Sequence, residues 1–342
     1  MSGHSHQTLY EVATQAMNEE ISCYLDLARR TNGFTAVRKD NLTEEAYRRI
    51  LLGGIGSPLP SSITPSDAAS EWERMQSVPF NVENAVSAGV YERLRERVAE
   101  LLDEMSDDTD GFTVFDPKVI HSTPYLLPVY QRLLGAPSKS RLKEMIGAAS
   151  DNSISVPASG RIAEALNQRR PGRGASVNDL KIAIEPTLEG IVRDLVGRVL
   201  LESVVANALD EVGVPYLREA DYSGIEGVIY KFRADFVLPN ADDPLVFIEV
   251  RKSSSRHASL YAKDKMFSAI NWKGWNHRLL AVVITDGPWT EQTLQVMTKV
   301  FDYVVPLRKV AELAEIVAAY VRGDESKLRL IVNFRVTPAG QD

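Results

Sequence analysis

The stretch Lys231–Lys252, KFRADFVLPNADDPLVFIEVRK, decides how this chain is read. Phe232, Ala234, Phe236 and Leu238 alternate with Lys231, Arg233 and Asp235, the pattern of a strand with one apolar face. A second strand carries Val246, Ile248 and Val250 on one face and Phe247, Glu249 and Arg251 on the other. Asn240, Asp242 and Asp243, with Pro239 and Pro244, supply the turn. A hairpin centred on Asp242 sets Asp235 opposite Glu249, with Cβ atoms about 4.5–5.5 Å apart. Two carboxylates that close repel each other unless a cation or a shared proton lies between them. The pair therefore has the signature of a metal site.

The chain around this hairpin has 342 residues, enough for two domains or one core with a large elaboration. Its 44% hydrophobic and 25% charged content is that of a soluble globular protein. No apolar run approaches bilayer length, and no basic region followed by an apolar one opens the chain. The single cysteine, Cys23, excludes a disulfide framework and paired-thiolate zinc sites, so a reducing cytoplasm is expected. Net charge is −7, but its distribution is uneven: residues 251–278 hold seven basic side chains against one acid, Asp264. A local cationic surface beside a carboxylate pair favours phosphate, whereas alone it reads as a solvated helix face.

Helical spacing predicts helices over Leu9–Arg30, Leu42–Leu52, Asp67–Met75, Val86–Met105, Tyr125–Leu134 and Ser138–Ala148, with Gly53–Ser66 as a loop. The last two helices have a helix-turn-helix outline. Residues 149–185 read as irregular and polar, with Arg169, Arg170 and Arg173 either in an exposed linker or in an arm lying on a phosphate backbone. Pro186–Val212 reads as one long helix, begun by proline and ended by Gly213. Glu202 falls in its apolar seam, where a carboxylate either leans out or finds a cation. A strand near Pro215–Arg218, the hairpin, a helix over Ala258–Trp272 and the buried strand Leu279–Thr285 follow. Helix Glu291–Lys299, strand Tyr303–Leu307, helix Val310–Arg322 and a last strand over Leu328–Val336 complete the pattern. Strands alternating with helices imply a layered α/β core over roughly 185–325. A mostly helical region, 1–175, precedes it, and 326–342 forms a strand and tail.

Carboxylates at 235 and 249 are suitable hard ligands for Mg²⁺, with Glu202 as a third, and a nearby cation would offset charge on a phosphate. Arg251 shares the face of Glu249. Lys252 points the other way unless a bulge turns it. Lys263 lines up with Met266, Phe267 and Ile270, which predicts an inward direction. The histidines show no catalytic spacing, and no glycine-rich phosphate loop is present. Trp272 and Trp275 either stack on bases or pack in the core.

The order of helix, strand, Asp-bearing strand, Glu-bearing strand, helix and strand resembles that of the PD-(D/E)XK nucleases. Leu201-Glu202-Ser203 resembles that family's helical Glu, Arg233-Ala234-Asp235 its metal-binding Asp, and Ile248-Glu249-Val250-Arg251-Lys252 its acid-x-Lys element. The later part, IEVRKSSS, a helix and VVITDGPW, is similar to type II restriction endonucleases of the DpnII/MboI group, with a fainter likeness to the XamI group. The resemblance implies a restriction-endonuclease-like core with a central mixed sheet flanked by helices. It also implies Mg²⁺-dependent, sequence-specific cleavage of double-stranded DNA by a homodimer, with a cognate DNA methyltransferase acting on the same site. Metal ligands would be Asp235, Glu249 and Glu202, and DNA contacts Arg169, Arg170, Arg173, Arg233, Arg256, Lys265 and Lys273. The lysine expected two residues after Glu249 is instead Arg251, which cannot act as a base. Arg251, Lys252 and Lys263 all stay open as the catalytic cation. Non-specific cleavage in repair or phage defence, or a DNA-binding protein whose nuclease core has decayed, are the alternative expectations.

Overall fold

The computed structural model describes residues 6–58, 62–168, 176–253, 258–337 and 339. Helices α1 (Leu9–Arg30), α2 (Glu45–Gly54), α3 (Pro65–Arg74) and α4 (Val82–Asp108) come first. Next are α5 (Pro117–Ser122), α6 (Leu127–Leu133), α7 (Lys139–Ile146), a two-stranded hairpin of β1 (Ala149–Ser150) and β2 (Ser153–Ile154), α8 (Val156–Asn167) and α9 (Val177–Arg198). The remainder runs α10 (Leu200–Glu211), β3 (Leu217–Arg218), β4 (Phe236–Leu238), β5 (Val246–Lys252), α11 (Ala258–Trp275), β6 (Leu280–Asp286), α12 (Glu291–Met297), β7 (Tyr303–Pro306) and α13 (Val310–Val321). No helix among the described residues is long and apolar enough to cross a membrane.

The chain divides into two units, 1–20 with 82–199 and 21–81 with 200–342. Residues 21–81 fall with the sheet-bearing unit, and the later change of unit comes between 199 and 200. Within that unit Arg29 pairs with Glu211 at 2.6 Å, and Gly33 lies against Arg308 and Lys309. Tyr24, Phe34, Trp72 and Phe80 gather there as an aromatic cluster, Phe34 and Phe80 stacking at 4.3 Å. Nothing local to 21–81 announces these long-range partners.

The first unit is helical. α4 and α9 pack together, with Arg95 paired to Glu185 across them. Residues 149–185, expected to be irregular, hold the β1–β2 hairpin, α8 and the start of α9. Leu180, Ile184, Leu188, Val192 and Leu195 are all buried, so one apolar seam runs through Pro186, which lies inside the helix rather than opening it. The predicted long helix also breaks at Val199, and Glu202 falls in the first turn of α10. An acid in the first turn of a helix lies near the positive end of the helix dipole.

In the second unit the sheet order is β3-β4-β5-β6-β7, antiparallel from β3 to β5 and parallel from β5 to β7. It is an α/β fold with a mixed sheet covered on both faces. Phe247, Val237, Ala281 and Val283 pack on one side with Trp272 of α11 and with Phe301, and the Phe247 and Trp272 rings meet edge to face at 4.8 Å. Ile248 and Ile284 point the other way, among Val205 and Leu209 of α10 and Val310, Leu313 and Val317 of α13. Burial on both faces explains the unbroken apolar runs of β5 and β6. Gly287 follows β6 at φ +74, where a Cβ would stand 2.4 Å from the Ser253 carbonyl, so glycine lets the chain turn away beside the end of β5. The expected strand over Leu328–Val336 does not form. Its backbone instead bonds to Asp302, through the Arg329 and Leu330 amides at 2.9 and 2.7 Å.

Candidate active site

β4 is shorter than its alternation suggested: it covers Phe236–Leu238, while half-exposed Phe232 pairs with Ile225 in an isolated bridge. The register is nevertheless the expected one. Phe236 faces Ile248 and Leu238 faces Val246, so one further step sets Asp235 opposite Glu249. Asp235 is fixed from both sides. Its carbonyl accepts the Glu219 amide at 3.0 Å, and its Oδ2 accepts the Val250 amide at 2.6 Å. The Tyr222 hydroxyl bonds both the amide and the carbonyl of Ala234, pinning the chain just before Asp235.

The cation between the two carboxylates is Arg251. Its Nη1 lies 2.7 Å from Asp235 Oδ2 and its Nη2 2.7 Å from Glu249 Oε2, a fork that bridges both acids. Lys265 of α11 reaches the same Glu249 Oε2 at 3.2 Å. Glu249 is 0% exposed, and its other oxygen, Oε1, is buried without a hydrogen-bond partner among the described residues. Burial first, and then the charge of Asp235, push the Glu249 carboxyl up to about 7, against the pull of Arg251 and Lys265. Burial and then Asp235 also raise the pKa of half-buried Glu202, so its carboxyl lies within the field of the pair. Burial works against the charge of Arg251, but Glu249 and Asp235 outweigh it and raise its pKa.

The remaining expected residues are placed as follows. Lys263 is exposed, not inward: Ala262, Ala269 and Trp272 form the buried side of α11, and Lys265 falls on that side at spacings of three and four. That spacing marks Lys265 as inward-facing, whereas the resemblance implies only a DNA contact for it. Lys252 is exposed on the face opposite Arg251, since β5 pairs with β6 without a bulge through Lys252 and Asp286. Lys273 cannot touch DNA, because it is 0% exposed and ion-paired with Asp302 in the core. Burial lowers its pKa, opposed by Asp302. Arg233 is exposed and donates to the Glu219 carbonyl at 3.2 Å. Trp272 is core and Trp275 is exposed. Arg169, Arg170, Arg173 and Arg256 lie outside the described residues.

Among the described residues no three His, Cys, Asp or Glu side chains form a ready-made cage for a metal ion. Mg²⁺ does not require one, since it keeps several waters and takes one or two carboxylates together with substrate phosphates. Asp235 and Glu249 offer hard oxygen donors of that kind, and the unpartnered Glu249 Oε1 is an acceptor with nothing yet to accept. The residues present therefore fit the ion. No protein-family model, curated protein or solved structure matches this chain.

Proposed function

We propose that this chain is a Mg²⁺-dependent endonuclease of double-stranded DNA with a restriction-endonuclease-like core. In this reading it acts as a sequence-specific, homodimeric type II enzyme beside a methyltransferase of the same specificity. One observation carries the reading. Two carboxylates, Asp235 and Glu249, lie cross-strand at the antiparallel half of a mixed sheet, with an arginine and a lysine on them. The order α10-β3-β4-β5-α11-β6 supports it as well.

Asp235 and Glu249, with Glu202 beside them, would hold the ion, which supplies Lewis-acid polarisation of the phosphate and acidification of a water. The protein's own part is electrostatic. Arg251 is one-quarter exposed and presents a planar fork that suits the oxygens of a scissile phosphate. Lys265 places a second positive charge beside Glu249, where it would offset charge on a bound phosphate.

The test is incubation of the purified protein with plasmid DNA and Mg²⁺. Discrete fragments, lost in Glu249→Ala, support restriction. A smear supports non-specific cleavage. The bridging of both acids by Arg251 also favours a second reading, a DNA-binding protein whose catalysis has decayed. Intact plasmid with a retained gel shift selects it. Cleavage unchanged by Glu249→Ala removes the site from consideration.

A further inference from the structure

The Arg251 guanidinium stands where a cation entering between Asp235 and Glu249 would have to go. Its two bonds, each 2.7 Å, occupy Asp235 Oδ2 and Glu249 Oε2. A guanidinium and a divalent ion cannot share those oxygens, since like charges at contact distance repel. We propose that Arg251 is a latch on the cation site: it holds the carboxylate pair closed, and a divalent cation enters when Arg251 turns to a phosphate oxygen of the nucleic acid.

Three features bear on how the latch opens. Arg251 is next to last in β5 and its side chain is one-quarter exposed, whereas Asp235 and Glu249 are buried beneath it. Lys265 reaches only Glu249 Oε2, at 3.2 Å, so turning Arg251 away leaves Asp235 Oδ2 with no side-chain cation on it among the described residues. Glu249 Oε1 has no partner among the described residues, so the site keeps an unused buried acceptor. Phosphate and cation then favour the same state, and each raises the affinity of the protein for the other. The latch rests on taking the pair as a divalent-cation site, so its test reads cation binding and not cleavage.

The experiment measures Mn²⁺ binding to the full chain by electron paramagnetic resonance, for wild type, Arg251→Met, Arg251→Lys, Glu249→Gln and the double variant Arg251→Met with Glu249→Gln. Losing two charge-assisted bonds that compete with the ion should tighten Mn²⁺ binding by about tenfold or more in Arg251→Met. Arg251→Lys, which lacks the planar fork, should fall between, and the double variant should lose the gain. A short random-sequence duplex should tighten wild type towards Arg251→Met. Equal affinity in wild type and both Arg251 variants, all lost with Glu249→Gln, overturns the latch and leaves the cation site standing. Absence of Mn²⁺ binding in every variant, with or without duplex, removes the site and the latch together. If circular dichroism shows Arg251→Met unfolded, Arg251→Lys carries the comparison, and no gain there overturns the latch.

Discussion

Two buried pairings of cation and carboxylate lie in the sheet unit, and they are built on opposite principles. At Lys273–Asp302 every need of the acid is met. One oxygen takes the Lys273 ammonium and the Ala281 amide, and the other takes the amides of Arg329 and Leu330. At Asp235–Glu249, among the described residues, two acids share two cations, one acid oxygen has no partner, and Glu249 is pushed up to about 7. A satisfied buried pair holds structure together, here the end of the chain against β6. An unsatisfied one stores unfavourable electrostatics, which folding tolerates where a ligand can relieve it.

The largest expected effect is at the satisfied pair. Asp302→Ala leaves Lys273 buried and unpaired and strips three amides of their acceptor, which should cost about 3–5 kcal/mol and lower the melting temperature sharply. Lys273→Met should cost less, because the three amides still hold the carboxylate. Equal losses would show that the amides contribute little.

The next effect is the pH dependence of the unsatisfied pair. The Glu249 carboxyl binds its proton up to about 7 in the folded protein, against 4.5 for an ordinary glutamate. Between those values the folded state holds more protons than the unfolded one, so stability falls as pH rises from 4.5 to 7 and levels off above. The fall from this group is on the order of 3 kcal/mol. Glu249→Gln should remove that part of the slope in denaturant titrations across the range; an unchanged slope would mean the carboxylate is already compensated.

Asn271 sharpens the comparison with a neutral case. It is 0% exposed and brackets the preceding loop, accepting the Ile229 amide at 2.8 Å and donating to the Tyr230 carbonyl at 2.9 Å. Asn271→Ala should cost about 1–3 kcal/mol with no pH dependence of its own, checked by the same titrations. At the small end, Lys263→Ala should change stability by less than about 0.5 kcal/mol, because that side chain is exposed. A larger loss would require a contact that exposure does not suggest.

What was legible before the structure was the local part. Alternation and one polar turn set the register that brings 235 opposite 249, and strand burial on both faces was visible in LLAVVIT. The same cues overreached at the ends. Phe232 keeps the alternation but pairs in an isolated bridge with Ile225, outside β4, and Leu328–Val336 looks like a strand but is held by Asp302 instead. On α11 the difference is two residues. Two steps along a helix turn a side chain by about 200°, enough to exchange exposed Lys263 for site-facing Lys265.

The sequence by itself therefore determined the hairpin, its two acids and the α/β pattern, because period, turn chemistry and apolar runs act over a few residues. Only the tertiary structure decided which cations serve those acids. Lys273 is claimed by Asp302, 29 residues further on, and Lys265 reaches Glu249 from a separate helix. Arg251 turns its fork onto Asp235 because the strands bring 235 and 251 together. Pairing across the fold is set by what each charge finds at hydrogen-bond distance once water is excluded, and no local pattern encodes that distance.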